Sequence, residues 1–339
     1  MGYIGPVLTN HFKALSNDNF VAGYDLGLFS HVSSTRKLIS DVKADVQYFG
    51  DVREVSPELF EGFDAVVYLA AISNDPMGNK FEEPTLDINY KSAVKWAEHA
   101  KAAGVSNFVF ASSCSVYGLA DDGDRTEKSE VNPLTAYAKS KVYAERELEP
   151  LADDNFTITC LRFATACGWS DRLRLDLVLN DFVAGAKVNK KIEILSDGTP
   201  WRPLIHVKDM SRAIEWASNR KTDNGGNFVV SNVGSNAWNL QIKELAFQVK
   251  KKLDGTDVYI NPDGAPDKRS YRVNFDLFNE LAPNHQPMET PESTIEGLYA
   301  GLTELDFKDP DFRSSDYIRL KIIQDLIEFG ELTDQIKRT

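Results

Sequence analysis

The sequence AVVYLAA at residues 65–71 is apolar throughout, which is typical of a strand that a parallel sheet buries on both faces. Similar short runs, rich in β-branched and aromatic residues, recur at 19–25, 46–51, 107–111 and 158–162. Residues 92–103 and 137–148 carry apolar side chains at helical spacing. This alternation of strands and helices predicts an α/β fold built on a doubly wound parallel sheet.

The pattern becomes less regular from about residue 169. Helices are predicted at 173–186, 208–218 and 242–253, and strands at 191–195, 228–233 and 258–260. We therefore predict a first domain at 1–168, to which segments near 204–233 return, and a smaller C-terminal α/β domain at 169–304. The remaining residues, 305–339, form an amphipathic helical tail that docks on the body of the protein or on a partner.

Composition excludes several classes of protein. The chain has 339 residues, of which 42% are hydrophobic and 26% charged, as in ordinary globular proteins. Its net charge of −13 argues against a nucleic-acid partner, and the absence of an apolar run near 18 residues argues against a membrane span. The N-terminus does not resemble a signal peptide, and the three cysteines have no disulfide or metal-site spacing. These features predict a cytoplasmic protein with reduced thiols and no metal.

Tyr137 and Lys141 stand four residues apart in the predicted helix at 137–148, so their side chains share one face. A neighbouring ammonium favours the phenolate, and we expect it to lower the pKa of the tyrosine toward a range useful for proton exchange. The serine-rich strand end SSCSVYG at 112–118 could bring a hydroxyl to the same proton. The spacing alone is also common on solvated helix faces. If Tyr137 and Lys141 form a site, they act by acid–base catalysis without a metal.

A phosphate-binding loop is expected where a strand of such a sheet meets a helix N-terminus. The sequence there is MGYIGP, with Gly2 and Gly5 three residues apart, while the preceding strand and first glycine are absent. Asp25 lies 20 residues after Gly5 at the end of the next predicted strand, where a carboxylate can accept hydrogen bonds from an adenosine ribose. No Arg or Lys follows Asp25 directly, which favours NAD over NADP.

Together these motifs resemble the extended short-chain dehydrogenases/reductases, the nucleotide-sugar epimerase/dehydratase family typified by UDP-glucose 4-epimerase. The resemblance runs from Gly2 to about residue 300. It includes the segment WRPLIHVKD at 201–209, which is similar to the family's Arg-x-x-x-His-Val-x-Asp signature. It implies a Rossmann-type NAD-binding domain, NAD as cofactor, a nucleotide sugar as substrate, and a homodimer formed through helices that include the Tyr137 helix.

The resemblance also implies roles for individual residues. Tyr137 would be the base that takes a proton from a sugar hydroxyl, Lys141 would hold the nicotinamide ribose, and Ser113 would bond the same sugar oxygen. The implied cofactor-binding residues are Gly2, Tyr3, Ile4, Gly5, Asp25, Asp51, Val52, Leu69, Ala70, Ala71, Asn89, Tyr137 and Lys141. The implied substrate-binding residues are Ser113, Thr165, Asn180, Arg202 and Arg269, with the two arginines as diphosphate clamps.

Other chemistry-bearing residues have plainer interpretations. We expect His206 to order its loop and not to transfer protons, and Cys114 to be a small buried residue. The charged stretch at 171–176 is either a solvated run or a substrate loop.

The reaction is less determined than the family. Dehydratases of the family carry acidic residues after the catalytic Ser/Thr, where this chain has Cys114 and Ser115, so elimination of water is disfavoured. Epimerisation through a keto sugar is favoured over net oxidation or ketoreduction, which the same residues could perform. Without the first strand and first glycine, the chain could instead be a catalytically impaired binding relative; an incorrectly assigned start codon is the simpler explanation.

Overall fold

The computed structural model describes residues 1–34, 43–120, 123–264 and 270–339, and it confirms the predicted α/β fold. In these ranges the strands are β1 (Ala22–Asp25), β2 (Val46–Phe49), β3 (Ala65–Tyr68), β4 (Asn107–Ser113), β5 (Asp124–Arg125), β6 (Thr157–Phe163), β7 (Thr165–Cys167), β8 (Lys191–Ile194), β9 (Trp201–His206), β10 (Phe228–Val233), β11 (Asn239–Gln241), β12 (Asp257–Ile260) and β13 (Arg272–Val273). The α-helices are α1 (Gly5–Leu15), α2 (Asp75–Lys80), α3 (Glu82–Leu86), α4 (Ser92–Ala102), α5 (Ala136–Leu148), α6 (Val178–Asn189), α7 (Val207–Asn219), α8 (Ile242–Lys252), α9 (Asp276–Leu281), α10 (Pro291–Glu304) and α11 (Arg319–Glu328).

The central sheet is parallel and has the strand order β10-β6-β4-β3. Helices α4 and α5 cover one face, while α7 covers the other and packs on α1. Because both faces are covered, every residue of β6 is buried. Successive side chains of β4 enter different cores: Phe108 and Phe110 face α4 and α5, and Val109 faces α7.

Strands β1 and β2 form a separate parallel pair. Among the described residues, no strand pairs with the edges of β1 and β3 that face each other. Helix α1 begins at Gly5, within the glycine loop. Residues Ala22–Tyr24 and Val66–Tyr68 both line a cavity of about 1180 Å³.

The C-terminal half forms a third core from α6, α8 and α10 with β8 and β12. Strand β10 belongs to the central sheet, and helix α7 packs against that sheet. The predicted boundaries at 168 and 304 stay predictions. No helix in the described ranges has the length and apolarity needed to cross a membrane.

The structure corrects one sequence prediction and decides between the two alternatives of another. The helix predicted at 173–186 begins only at Val178, because Arg174 and Asp176 form an ion pair of 2.7 Å in the preceding loop. In the tail, α11 is the α-helix, and Ile323 and Leu332 pack into the same core as Phe60. Of the two surfaces considered, the tail therefore docks on the body of the protein.

Replacing Phe108, which is fully buried in the core under α4 and α5, tests this packing. Phe108→Ala should lower the free energy of unfolding by about 3–5 kcal/mol, because it removes apolar contacts and leaves a cavity. Urea unfolding followed by circular dichroism measures the change. The control is Phe247→Ala on α8, whose side chain is 51% exposed and whose loss should cost less than about 1 kcal/mol. Equal losses would contradict the assignment of Phe108 to the core.

Candidate active site

The carboxyl ends of β1, β3 and β4 open onto the same cavity, as expected for a ligand site in a parallel sheet. Asp25, the loop at Leu69–Ala71, Ser113, Thr165 and the residues of the Tyr137 helix all contribute to its lining. The structure therefore brings together side chains that are up to 140 residues apart in the sequence.

Helix α5 holds Tyr137 in its first turn. Thr135 caps this helix by accepting a hydrogen bond of 3.2 Å from the backbone N–H of Ala138, and its hydroxyl donates to Asp75 at 2.6 Å. Helix α2 lies so close that a Cβ added at Gly78 would stand 3.0 Å from the backbone nitrogen of Tyr137. The glycine thus allows α2 to pack directly against the start of the catalytic helix.

The structure brings Tyr137 and Ser113, which the resemblance assigns to one sugar oxygen, into the same cavity. Both residues line it, and Ser113 acts to lower the pKa of Tyr137. The pKa of Tyr137 is raised to about 12, because burial outweighs the lowering by Ser113 and by the charge of Arg174. The expected lowering of this pKa by Lys141 is therefore wrong for this structure, since desolvation is the larger effect.

Lys141 itself is buried below the tyrosine. Its Nζ donates to the carbonyl of Ala111 at 2.7 Å and lies 5.6 Å from the centre of the Tyr137 ring. Burial lowers the pKa of Lys141 to about 7, although the carboxylate of Glu145 acts in the opposite direction. Near neutral pH this ammonium is therefore close to its titration point, and its charge responds to small changes in its surroundings.

A buried ion pair supports this lysine from the next turn of α5. Glu145 receives two hydrogen bonds from Arg162 on β6, at 3.0 Å from Nε and 2.7 Å from Nη2. The hydroxyl of Ser112 on β4 donates to the same carboxylate at 2.5 Å. The three side chains connect the catalytic helix to two adjacent strands of the sheet.

The glycine loop also belongs to the wall of the cavity. Gly2, Tyr3, Ile4 and Gly5 all line it, and α1 begins without a side-chain cap or an acidic residue in its first turn. A Cβ at Gly2 would have no neighbour within 4 Å, whereas one at Gly5 would stand 2.6 Å from the Cβ of Met1. An open loop leading into the positive end of a helix is suited to an anionic group.

The predicted adenosine end contains Asp25, Asp51 and Val52, all of which line the cavity. Asp25 accepts a hydrogen bond of 2.6 Å from the N–H of Gly27, and its other carboxylate oxygen is 3.8 Å from the amino group of Met1. Asp51 is paired with Arg53 through Oδ2 and Nη2 at 2.5 Å. Its side chain is therefore held by the protein itself, which leaves Asp25 as the clearer ribose ligand.

Asn89 and Asn180 are placed differently from the prediction, because neither lines the cavity and both are fully buried. Asn89 exchanges hydrogen bonds with the backbone of Ile72 at 2.8 and 3.0 Å, and so fixes the loop after β3. Asn180 accepts from the N–H of Gly168 and donates to the carbonyl of Arg174. Both amides hold loops that form the site and do not face a ligand.

Of the other predicted substrate residues, Thr165 and Arg202 line the cavity. The guanidinium of Arg202 lies 5.7 Å from the centre of the Tyr271 ring. Arg269 lies outside the described residues.

The stretch at 171–176 is a loop of the site and not a solvated run. Arg174 is only 8% exposed, donates to the hydroxyl of Ser73 at 2.7 Å and pairs with Asp176. Asp176 in turn accepts from Asn74, which adopts a φ of 115°. The sequence analysis did not predict this cluster. The residues Asn74-Asp75-Pro76 are a helix-start signal, which could have indicated that a helix begins beside the loop.

The plainer expectations for His206 and Cys114 are consistent with their surroundings. His206 is buried, and its Nδ1 accepts a hydrogen bond of 3.0 Å from the N–H of Lys208 at the start of α7. Burial lowers the pKa of His206 to about 4, so it is neutral at pH 7. Cys114 is buried, its thiol donates to the carbonyl of Arg162, and burial raises its pKa.

Most of the residues that line this cavity lie in a segment recognised by comparison with known families. The model of the NAD dependent epimerase/dehydratase family matches residues 1–234. The chain belongs to this family. The resemblance drawn from the motifs is confirmed, and so is NAD as the cofactor.

Individual relatives are more distant. An uncharacterized UDP-glucose epimerase of Bacillus subtilis, YtcB, is 29% identical over 159 residues, or 46% of this chain and 49% of that protein. A UDP-glucose 4-epimerase of Corynebacterium glutamicum is 27% identical over 233 residues, or 63% of this chain and 68% of that protein. The matched part of the chain thus spans about half the length of the first relative.

The fold is shared with solved structures. TunA, a NAD dependent NDP-hexosamine 5,6-dehydratase involved in tunicamycin biosynthesis, superposes with a TM-score of 0.75 at 20% identity, covering 91% of this chain and 96% of that chain. Both epimerases and a dehydratase are therefore similar to this family member, so its reaction has to be argued from the site.

The residues of the cavity suit NAD. The uncapped start of α1 offers backbone N–H groups to phosphates, and Asp25 offers a carboxylate to a ribose. Lys141, whose ammonium lies beside Tyr137, could hold the second ribose. NAD, when bound, supplies a hydride acceptor and a positive charge that lowers the pKa of a nearby phenol.

The burial of Lys141 predicts how the stability of the protein depends on pH. Between pH 7 and about 10, the unfolded chain binds a proton at this lysine that the folded chain lacks, because burial lowers the pKa from 10.5 to about 7. The stability of the wild-type protein should therefore rise with pH over this range relative to Lys141→Met. Urea unfolding of both proteins at several pH values measures this difference.

The matched control for this experiment is Lys139→Met on the same helix, at a position that is only partly buried. Its curve should run parallel to that of the wild type. If the Lys141→Met curve also runs parallel, Lys141 does not titrate as its burial requires.

Proposed function

We propose that this chain is an NAD-dependent nucleotide-sugar epimerase, similar to UDP-glucose 4-epimerase, that acts through a keto-sugar intermediate. The observation that carries the proposal is the placement of Tyr137 and Ser113 in the same cavity as the glycine loop, Asp25 and Arg202. Such a cavity can hold a dinucleotide and a second nucleotide together, with a proton carrier between them.

Tyr137 is proposed to take the proton from a sugar hydroxyl while the carbon that bears it is oxidised, and to return the proton when the ketone is reduced from the other face. Ser113 donates a hydrogen bond to the same sugar oxygen and keeps it at the tyrosine. Lys141 supplies positive charge below the ring, and Arg174 adds to it. Arg202, which lines the cavity, is proposed to bind the substrate diphosphate.

Elimination of water is disfavoured by the residues next to Ser113. A dehydratase needs an acid and a base that reach the sugar beyond the hydride-transfer carbon. Cys114 cannot serve, because it is buried, bonded to a carbonyl and has a raised pKa. Asp75, the acidic group near Tyr137, accepts the hydrogen bond of Thr135 that caps α5. Its carboxylate is therefore used to build the site.

A second candidate is a binding relative with impaired catalysis. Such a protein would bind a nucleotide sugar yet retain NAD poorly. Absorbance and mass spectrometry of the purified protein separate the two candidates, since the epimerase should carry or bind NAD.

The reaction itself is tested by incubation with UDP-, GDP- and dTDP-sugars in the presence of NAD. An epimerase forms the epimer without net change in NADH, whereas a dehydrogenase or ketoreductase changes NADH in proportion to product. Formation of a dehydrated sugar, or of no product with any sugar while NAD is bound, would overturn the proposal.

Tyr137→Phe should lower turnover by about 10²–10⁴-fold, because it removes the only proposed proton carrier and little volume. The affinity for the nucleotide sugar should change by less than about threefold, since Arg202 and the rest of the cavity are untouched. The epimerisation assay and calorimetric titration measure the two effects.

The control for this substitution is Tyr143→Phe, on the same helix but with its side chain 39% exposed. It should leave turnover unchanged. Full activity of Tyr137→Phe would refute the role given to Tyr137.

We also propose a homodimer in which α5 contributes to the interface. Tyr143 on this helix forms an edge-to-face contact with Tyr90, at 5.7 Å between ring centres, and presents an aromatic surface on the outer side of α5. Light scattering of the purified protein would give its mass in solution.

A further inference from the structure

Arg319 is a buried cation at the start of the tail helix α11. It is 2% exposed, and its Nη2 donates to the carbonyls of Arg172 and Leu173 at 2.9 and 3.3 Å. Its guanidinium carbon lies 4.4 Å from the centre of the Phe29 ring. Its Nη1 has no hydrogen-bond partner within the part of the chain that the structure describes. The side chain lines the same cavity as Tyr137 and the glycine loop.

An arginine that served only to hold the tail would be expected to have all its buried N–H groups bonded. Leaving a buried N–H of a charged group without a partner costs free energy, because that group has lost its hydration. The Nη1 of Arg319 is such a group, and the residue that carries it lines a cavity. An acceptor that enters this cavity would complete its hydrogen bonding.

The charges around Arg319 indicate that this acceptor is an anion. Arg172 and Arg174 are also buried and lie close to it, while the carboxylate of Asp176 is already paired with Arg174. Burial lowers the pKa of Arg319 to about 9, and the neighbouring positive charges of Arg174 and Arg172 contribute to the lowering. Binding of an anion would offset this crowding of cations.

The position of Arg319 in the cavity determines which part of a bound ligand it can contact. It contacts the ring of Phe29, four residues after Asp25 at the proposed adenosine ribose, and the carbonyl of Leu173, next to Arg174. Arg319 therefore lies between the two ends of a dinucleotide, where the phosphates are.

The glycine loop reaches the same place through a short series of contacts. The hydroxyl of Ser170 donates to the carbonyl of Tyr3 at 2.6 Å and accepts from the N–H of Arg172, whose carbonyl accepts from Arg319. The uncapped N-terminus of α1 adds its positive end.

We propose that Arg319 binds the diphosphate of the cofactor, so that the C-terminal tail is part of the cofactor site. The inference rests on the proposed binding of NAD in this cavity and adds to it a ligand that the family's glycine loop does not supply. A guanidinium suits this task because it can donate to two phosphate oxygens at once.

Calorimetric titration of the full chain with NAD, ADP and adenosine tests the proposal, because ADP contains the diphosphate and adenosine does not. Arg319→Gln should weaken NAD and ADP roughly tenfold or more, and should change adenosine by less than about twofold. Arg319→Lys, which keeps the charge, should recover most of the affinity for ADP. The control is Lys321→Gln, which removes a more exposed cation from the same helix, where Lys321 pairs with Asp325. This variant should bind all three compounds as the wild type does.

Two results would overturn the proposal. Equal weakening of ADP and adenosine by Arg319→Gln would show that Arg319 only holds the loop at residues 172–173. Unchanged affinity for ADP would show that the diphosphate does not meet Arg319. If the wild type binds NAD and ADP with this dependence on Arg319 yet epimerises no sugar, the proposed reaction fails while the diphosphate site stands.

Discussion

The buried ion pair between Glu145 and Arg162 connects the catalytic helix to the central sheet. The carboxylate of Glu145 also accepts a hydrogen bond from Ser112, so this side chain of α5 is held by two neighbouring strands. Removing one partner of such a pair leaves an uncompensated charge in the interior, which is strongly unfavourable. The orientation of α5 therefore depends on this contact, and with it the positions of Tyr137 and Lys141 above the strand ends.

Burial has a second consequence, because it determines the proton affinities in the site. Desolvation raises the pKa of Tyr137 to about 12 and lowers that of Lys141 to about 7, so each group is pushed toward its neutral form. The site is thus poised for a ligand that brings charge with it. The buried cations Arg174 and Arg319, which line the same cavity, complement this arrangement, since they attract the anionic part of the same ligand.

Much of the fold could be predicted because it follows from local patterns. Strand β3 is apolar over its whole length, β6 is rich in β-branched and apolar residues, and helices such as α5 show their period in the sequence. The placement of Asn89 and Asn180 could not be predicted in this way. An amide that bonds a ligand and one that bonds a loop backbone look the same in sequence, and only the surrounding chain shows which donors each one meets.

By itself, the sequence determined the order of strands and helices, the spacing of Tyr137 and Lys141 on one helical face, and the position of Asp25 after a strand, because these depend on residues close together in the chain. Tertiary structure alone decided the rest. It placed Arg319 beside a loop some 145 residues away, and it replaced the expected activation of Tyr137 by a dominant desolvation. Both outcomes depend on burial and on long-range neighbours, which no local pattern records.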